Sequence, residues 1–323
     1  MEIKNKFAIG CLVQWYEIKI VEEYIESVNQ SLSEIDNSEN IIIDFTFTTN
    51  QDLEKIDDEH EINALRFKFQ DMVKNINGNV EWRVTDELHT IADYRRDFND
   101  KYCEEVDVLM WGESDSLIPK QTFQVLDLLH TNNVSNGTHK YLTFFGTCKM
   151  WDESWKSIEH TDFTDKPFIE NDTKNWWSLK YNMTLDEMNE INDKVEDLDV
   201  RMVNPYKFNG CGLVISSDVV KSGVNIPRSV FFIHEDTAFQ NSLIKMFDGN
   251  IPQFVIKNIL LVHNRKHPDK RKYIKGEENI NKGDVGAARK THSWYDDANK
   301  MCEHNAYTMF RQGKTYTWED VFK

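Results

Sequence analysis

A short apolar run over 106–111 stops at Gly112 and is followed at once by two acids, Glu113 and Asp115, separated by one residue. A run this short, rich in large apolar side chains and bounded by glycine, is typical of a buried strand. Side chains two positions apart on extended backbone point the same way, so the two carboxylates meet if that geometry continues past Gly112. Two hard oxygen donors suit Mg²⁺ or Mn²⁺ carrying a phosphorylated ligand, whereas the alternative is a solvated turn.

Strand and helix patterns alternate along the first half of the chain. Apolar runs at 7–13 and 41–47 predict strands, and apolar side chains at helical spacing over 18–32 predict a helix between them. This strand–helix–strand unit requires parallel strands and a right-handed crossover. Open sheets of this kind bind ligands at the carboxyl ends of their strands, which is where the acid pair falls.

The same periodicities extend the prediction through the rest of the chain. Further strands are predicted at 80–84, 106–111, 141–148, 213–216 and 259–262. Further helices are predicted at 64–76, 89–102, 121–129, 184–195, 237–247 and 294–310. The segment 150–199 is the least regular and is predicted to be an insertion that carries one of these helices. The sequence as a whole predicts an α/β protein.

Charge and cysteine usage narrow the class of protein. The formal charge of −17 argues against a general nucleic-acid binder, although a basic stretch over 265–290 leaves a local contact open. Five cysteines lie far apart without a CxxC pair, which favours thiols in a reducing compartment over disulfides or a zinc site. The chain shows no signal-peptide pattern and no apolar run of about 20 residues, so we expect a soluble, cytoplasmic protein.

Four segments together resemble nucleotide-sugar glycosyltransferases of the GT-A fold, and family 2 most closely. They are FAIGCLVQWYE at 7–17, IADYRRDFNDKYCEEVDVLMWGESDSLIP at 91–119, NGCGLVISSDVV at 209–220 and FFIHEDTAF at 231–239. The resemblance covers about 1–265 and is weak over 150–200. It implies a Rossmann-like, mixed and mostly parallel sheet flanked by helices, with an inserted acceptor-side segment and a helical C-terminal extension.

The resemblance also implies a division of the chain. Residues 1–264 would form the catalytic domain, with a nucleotide-binding half at 1–130 and an acceptor half at 131–264 that includes the insertion at about 150–200. Residues 265–323 would form an extension that is first basic and then helical.

The acid pair corresponds to the DxD motif of that family. By the resemblance, Asp115 and Glu113 hold Mn²⁺ or Mg²⁺ against the diphosphate of the donor, and His263 completes the metal shell. The family usually has Asp where this chain has Glu113. The alternatives for the longer Glu113 are therefore binding through water, contact with the ribose, or neither. For His263 the alternative is a histidine outside the metal shell.

The later acid pair corresponds to the family's ED motif. The resemblance favours Asp236 as the general base that deprotonates the acceptor hydroxyl, with Glu235 positioning it. The alternative is that both acids simply stabilise the positive end of a helix dipole.

Nucleotide contacts are expected at the ends of the early strands and on the following helix. The candidates are Gln14, Trp15, Tyr16, Glu17, Thr49, Asn50, Asp93, Arg96, Glu113 and Ser114. Arg96 is favoured among them because a guanidinium recognises phosphate bidentately, whereas core packing and surface ion pairs are the alternatives. Candidates for contacts with the sugar or the acceptor are Trp176, Trp177, Gly210 and Gly212.

The sequence therefore predicts a metal-dependent, inverting glycosyltransferase that uses a nucleotide sugar, with a UDP-sugar favoured. A glycan is the favoured acceptor, and a protein or a modified nucleic-acid base stays open. One alternative is a nucleotidyltransferase acting on a sugar phosphate, although the loop Gln14–Glu17 lacks the glycines and lysines that such enzymes use there. The other is a non-catalytic glycan-binding protein on the same scaffold.

Overall fold

A computed structural model describes residues 1–50, 53, 59–149, 184–203, 210–263 and 293–323. The predicted sugar contacts Trp176 and Trp177 lie outside the described residues, as do most of the insertion and the basic stretch over 265–290. Within the described part of the chain, no helix combines the length and the apolar character needed to cross a lipid bilayer.

Strands and helices alternate in the described segments. The strands are β1 Phe7–Gln14, β2 Ile41–Thr48, β3 Asn79–Thr85, β4 Val108–Trp111, β5 Ser116–Leu117, β6 Leu142–Lys149, β7 Val200–Val203, β8 Val214–Ser216 and β9 Gln253–His263. The helices are α1 Val21–Ser33, α2 Glu59–Lys74, α3 Ile91–Tyr102, α4 Thr122–Ser135, α5 Leu185–Asn192, α6 Ser217–Lys221, α7 Glu235–Phe247, α8 Ser293–Thr308 and α9 Trp318–Val321. Short 3₁₀ turns occupy Trp15–Glu17 and Ser38–Asn40.

All nine described strands belong to one sheet, in the order β3-β2-β1-β4-β8-β6-β9-β5, with β7 paired to β9. Strands β1 to β4 are mutually parallel, and β6 is parallel to β9. Strand β8 runs antiparallel between β4 and β6, and both β5 and β7 are antiparallel to β9. The mixed, mostly parallel sheet flanked by helices that the resemblance implied is confirmed.

The sheet is covered on both faces, because side chains alternate along each central strand. In β1, Phe7, Ile9, Cys11 and Val13 pack with α1, α2 and α4 on one face. Ala8 and Leu12 pack with α3, α6 and α7 on the other face. Each large apolar side chain buried in these layers contributes about 1.5–3 kcal/mol to folding, so both layers hold β1 in place.

The sheet brings several chain segments together at the carboxyl ends of β1 and β4. After β4 the chain turns, with the Ser116 amide donating to the Glu113 carbonyl at 3.0 Å. Strand β5 then pairs with the end of β9, which places Ser116 opposite His263. Strand β8 approaches from the other direction, and the Trp111 amide donates to the Leu213 carbonyl at 2.9 Å.

Several elements differ from the prediction. Strand β9 begins at Gln253, six residues before the predicted 259–262. Strands β5 and β7 and helix α9 were not predicted. These three elements have two to four residues, too few to show a period, and the two strands are defined by hydrogen bonds to β9 rather than by local preference.

Candidate active site

A cleft of about 200 Å³ opens where β1 and β4 end and α7 begins. Its lining consists of Leu12, Gln14, Glu17, Ile91, Gly112, Glu113, Ser114, Asp115, Ile233 and Glu235. Four of these side chains are carboxylic acids, and they come from three separate parts of the chain. The cleft therefore joins Glu113 and Asp115 to Glu235, the first acid of the later pair.

The two early acids and His263 converge at one point. The imidazole Nε2 of His263 lies 2.5 Å from Oε2 of Glu113 and 3.6 Å from Oδ1 of Asp115. The pairing of β5 with β9 causes this, because it holds the segment after the acids against the end of the strand that carries His263. Asp115 and His263 are only 2% and 4% exposed, whereas the Glu113 side chain is 24% exposed and forms the outer part of the group.

Arg95 is a site residue that sequence reasoning missed. It is fully buried, and its Nη2 donates to Oε1 of Glu113 at 2.7 Å while its Nη1 donates to Oε1 of Glu235. The guanidinium carbon lies 4.8 Å from the centre of the Trp111 ring. Burial alone would lower the pKa of Arg95, but the charges of Glu235 and Glu113 outweigh burial and raise it. Arg95 thus links the early acids to the later pair.

The environment of Glu113 keeps its carboxylate ionised. Burial acts to raise the pKa of Glu113, but the neighbouring His263 and Arg95 outweigh burial and hold it well below its ordinary value. An anionic carboxylate of this kind is a ready ligand for a divalent cation.

Glu235 behaves in the opposite way. It is buried at the start of α7, where burial and the nearby Asp236 raise its pKa to about 7 against the lowering effect of Arg95. Asp236 does not line the cleft, and its Oδ1 accepts a hydrogen bond from the Thr237 amide at 2.6 Å. The preceding residue, His234, has a φ of 68°, which turns the chain sharply into the helix.

Only part of the loop after β1 faces the cleft. Gln14 and Glu17 line it, and Oε2 of Glu17 accepts a hydrogen bond from the Gln14 amide at 2.9 Å. Trp15 and Tyr16 are buried in the core, with their ring centroids 5.8 Å apart in an edge-to-face contact. Both rings of this loop therefore pack in the core instead of facing the cleft.

Thr49 and Asn50 are buried where β2 ends, away from the lining of the cleft. Thr49 Oγ1 donates to Asp86 at 2.9 Å, and Oδ1 of Asn50 accepts from the His89 amide at 2.9 Å. Both side chains thereby fasten the end of β2 to the segment that leads into α3.

Arg96 points away from the cleft. Its Nε donates to the Ile226 carbonyl at 2.9 Å and its Nη2 to the Val230 carbonyl at 2.8 Å, while Nη1 pairs with Asp93 at 2.9 Å. Asp93 also accepts hydrogen bonds from Thr90, so it caps the start of α3. Arg96 and Asp93 hold the chain that precedes α7, and no ligand contact is assigned to them.

Gly210 and Gly212, the predicted contacts for the sugar or the acceptor, flank Cys211, which lies close to Glu113 and His263. Ligand atoms of Glu113, Cys211 and His263 all lie within 4.8 Å of one another, and Asp115 adjoins His263. Two carboxylates and an imidazole are suitable donors for Mn²⁺ or Mg²⁺, so these residues fit the metal that the resemblance implies. Cys211 was not singled out from the sequence, since a lone cysteine has no spacing signal.

Comparison with known proteins finds similar structures only at low sequence identity. No protein-family model matches the sequence, and no curated protein matches it. S. aureus TarS 1-349 is similar over 80% of this chain and 60% of that chain, with 11% identity and a TM-score of 0.46. This chain thus spans less than two thirds of that structure.

Two further solved structures are similar over most of their own length. UDP-glucose pyrophosphorylase complexed with UDP-glucose has 8% identity and a TM-score of 0.35, and the match covers 79% of this chain and 90% of that chain. HddC from Yersinia pseudotuberculosis has 10% identity and a TM-score of 0.35, with coverage of 79% and 92%.

Proposed function

We propose that this protein is a divalent-cation-dependent glycosyltransferase that moves a sugar from a nucleotide sugar to a hydroxyl acceptor with inversion. One observation carries the proposal. A single cleft at the carboxyl ends of parallel strands is lined by Glu113 and Asp115, both of which contact His263, and by Glu235, a buried acid of raised pKa. A transferase of this kind needs a cation site and a general base in one cleft.

Asp115, Glu113 and His263 would hold the cation, with Mn²⁺ or Mg²⁺ as candidates. When bound, the cation supplies positive charge to the diphosphate as the sugar–phosphate bond breaks. Arg95 fixes Glu113 from behind through its 2.7 Å hydrogen bond, so the carboxylate is already oriented toward the cleft. Gln14 and Glu17, on the same wall, are the proposed contacts for the ribose or base of the donor.

Glu235 is the proposed general base. The family pattern favours Asp236, but Glu235 is the acid of that pair that lines the cleft. With a pKa of about 7, Glu235 is partly ionised at neutral pH and can take the proton of an acceptor hydroxyl. Arg95 binds one of its oxygens and thereby fixes the direction of the other. Asp236, the next residue of α7, then acts on Glu235 through its negative charge, which raises the pKa of Glu235.

The donor and acceptor follow from the same proposal. A UDP-sugar is the proposed donor and a glycan hydroxyl the proposed acceptor, with a protein or a modified DNA base as other acceptors. A nucleotidyltransferase is disfavoured by the loop after β1, because Trp15–Glu17 is a tight 3₁₀ turn with all three side chains buried. Such a turn offers no open glycine-rich backbone to cradle a triphosphate.

Calorimetry with UDP and Mn²⁺ tests the proposal directly. We expect binding that depends on Mn²⁺ and is lost in Asp115→Asn, while Asp71→Asn, a change at an exposed acid on α2, leaves it intact. Release of UDP from a UDP-sugar should show the same dependence. Turnover of a nucleoside triphosphate and a sugar phosphate would replace the proposal with a nucleotidyltransferase. Failure to bind any nucleoside diphosphate with Mn²⁺ would favour a non-catalytic scaffold.

A further inference from the structure

The loop before β8 places Cys211 beside Glu113 and His263. Gly210 lies against Arg95, since a Cβ there would come 2.0 Å from Nη1, and Gly212 has a φ of 68°. A Cβ on Gly212 would also meet the Leu261 side chain at 2.6 Å. The Gly212 amide donates to the Trp111 carbonyl at 2.9 Å, which ties the loop to the end of β4. Side chains at either glycine would push the loop outward and carry Cys211 away.

Cys211 occupies the inner end of this group. It is 2% exposed, and its sulfur lies within 4.8 Å of ligand atoms of Glu113 and His263. Bonds of 2.0–2.3 Å in a tetrahedral shell place neighbouring ligand atoms roughly 3.5 Å apart. Small side-chain movements therefore close the group around one ion, with Asp115 near His263 as the fourth donor.

We propose that the thiolate of Cys211 is a ligand of the metal, and that the site prefers borderline cations such as Co²⁺ and Zn²⁺ over the hard cation Mg²⁺. This inference rests on the proposed function, because it concerns the cation of the same cleft. Thiolate is a soft ligand that selects against hard Mg²⁺, and imidazole points the same way. On binding, the thiol releases its proton to solvent and one sulfur–metal bond forms.

Co²⁺ is the informative probe, because a thiolate bound to it produces a charge-transfer band in the near ultraviolet. We expect this band on titrating the full-length protein with Co²⁺, and its loss in Cys211→Ser. Cys103→Ser is the matched control, because that thiol is also buried but donates to the Asp100 carbonyl in the layer on the other face of the sheet. The control should keep the band unchanged.

Competition between cations gives a second readout. We expect Zn²⁺ to displace Co²⁺ far more effectively than Mg²⁺ does, and Mn²⁺ to bind more weakly than Co²⁺. In Cys211→Ser the affinity for Zn²⁺ should fall by about tenfold or more. Even the loss of a residue that only hydrogen-bonds to a metal ligand lowers metal affinity by about 10–100-fold. The affinity for Mg²⁺ should change less, so the variant should discriminate less between Zn²⁺ and Mg²⁺.

The outcomes separate this inference from the function beneath it. Co²⁺ bound without the charge-transfer band would overturn the role of Cys211 and leave the metal site standing. No binding of Co²⁺ or Mn²⁺ at all would overturn both. Because Cys211→Ser can disturb the core, its unfolding is measured without metal. The wild-type spectrum tests the inference even if the variant does not fold.

Discussion

Replacing Arg95 by methionine is the sharpest test of the charge arrangement in the cleft. Methionine keeps an apolar contact with the Trp111 ring but removes the cation that binds Glu113 and Glu235. Removing one partner of a buried ion pair leaves an uncompensated charge and costs about 3–5 kcal/mol. Domains of this kind have a total stability of about 5–15 kcal/mol, so the loss is easy to measure.

The destabilisation should depend on pH in a defined direction. The pKa of Glu235 is raised to about 7, so its contribution to stability is complete at low pH and is lost as pH rises through that value. Arg95 lowers the pKa of Glu235, and without Arg95 the pKa rises further. The cost of Arg95→Met should therefore be larger at about pH 8.5, where Glu235 is charged, than at about pH 6, where it is mostly neutral.

Urea unfolding in the presence of EDTA, followed by circular dichroism at both pH values, measures this cost. Arg96→Met is the matched control, because Arg96 is also buried on α3 but donates mainly to carbonyls, which do not titrate. We expect the control to lose stability by a similar amount at both pH values. A loss below about 1 kcal/mol for Arg95→Met, or one that is equal at the two pH values, would refute the proposed coupling.

Three further predictions follow from the cleft and its loop. Glu235→Gln should lower kcat/KM by about 10²–10⁴ without changing nucleotide affinity, because glutamine cannot take a proton. The wild-type rate should rise through about pH 7 as Glu235 ionises, and Asp236→Asn should move that rise to lower pH, which a pH–rate profile shows. Gly212→Ala should lower the free energy of unfolding by about 1–3 kcal/mol, more than Gly223→Ala does, as thermal unfolding measures. Both glycines have positive φ, but only a Cβ on Gly212 would meet Leu261.

The early part of the fold could be predicted because its signals are local. Strands β1 and β2 are short apolar runs, helix α1 shows a helical period, and the pairing of β1 with β2 follows from the βαβ rule. The start of β9 was missed because polar residues, Lys257 and Asn258, interrupt its apolar run. A contact distant in sequence stabilises this part of the strand, because Asn258 Oδ1 accepts a hydrogen bond from the Asp199 amide at 2.9 Å.

The acid group was only partly readable from the sequence. The spacing of Glu113 and Asp115 predicted that their side chains meet if extended backbone continues past Gly112. The chain turns there instead, with the Ser116 amide donating to the Glu113 carbonyl, and both acids still lie near His263. The approach of Cys211 could not be predicted, because it depends on the antiparallel arrival of β8 and on two glycines that admit the loop. Contacts of this kind are set by tertiary packing, which no local pattern records.

The two neighbouring arginines show where local reasoning reaches its limit. Adjacent residues on a helix point about 100° apart, so Arg95 and Arg96 cannot both face the cleft. Arg95 binds Glu235 itself, whereas Arg96 binds the carbonyls of Ile226 and Val230 in the segment that leads to it. Helix α3 therefore positions the proposed base twice, through its side chain and through its backbone. A sequence shows that two arginines are present, but only the packing of α3 against the sheet decides which one enters the site.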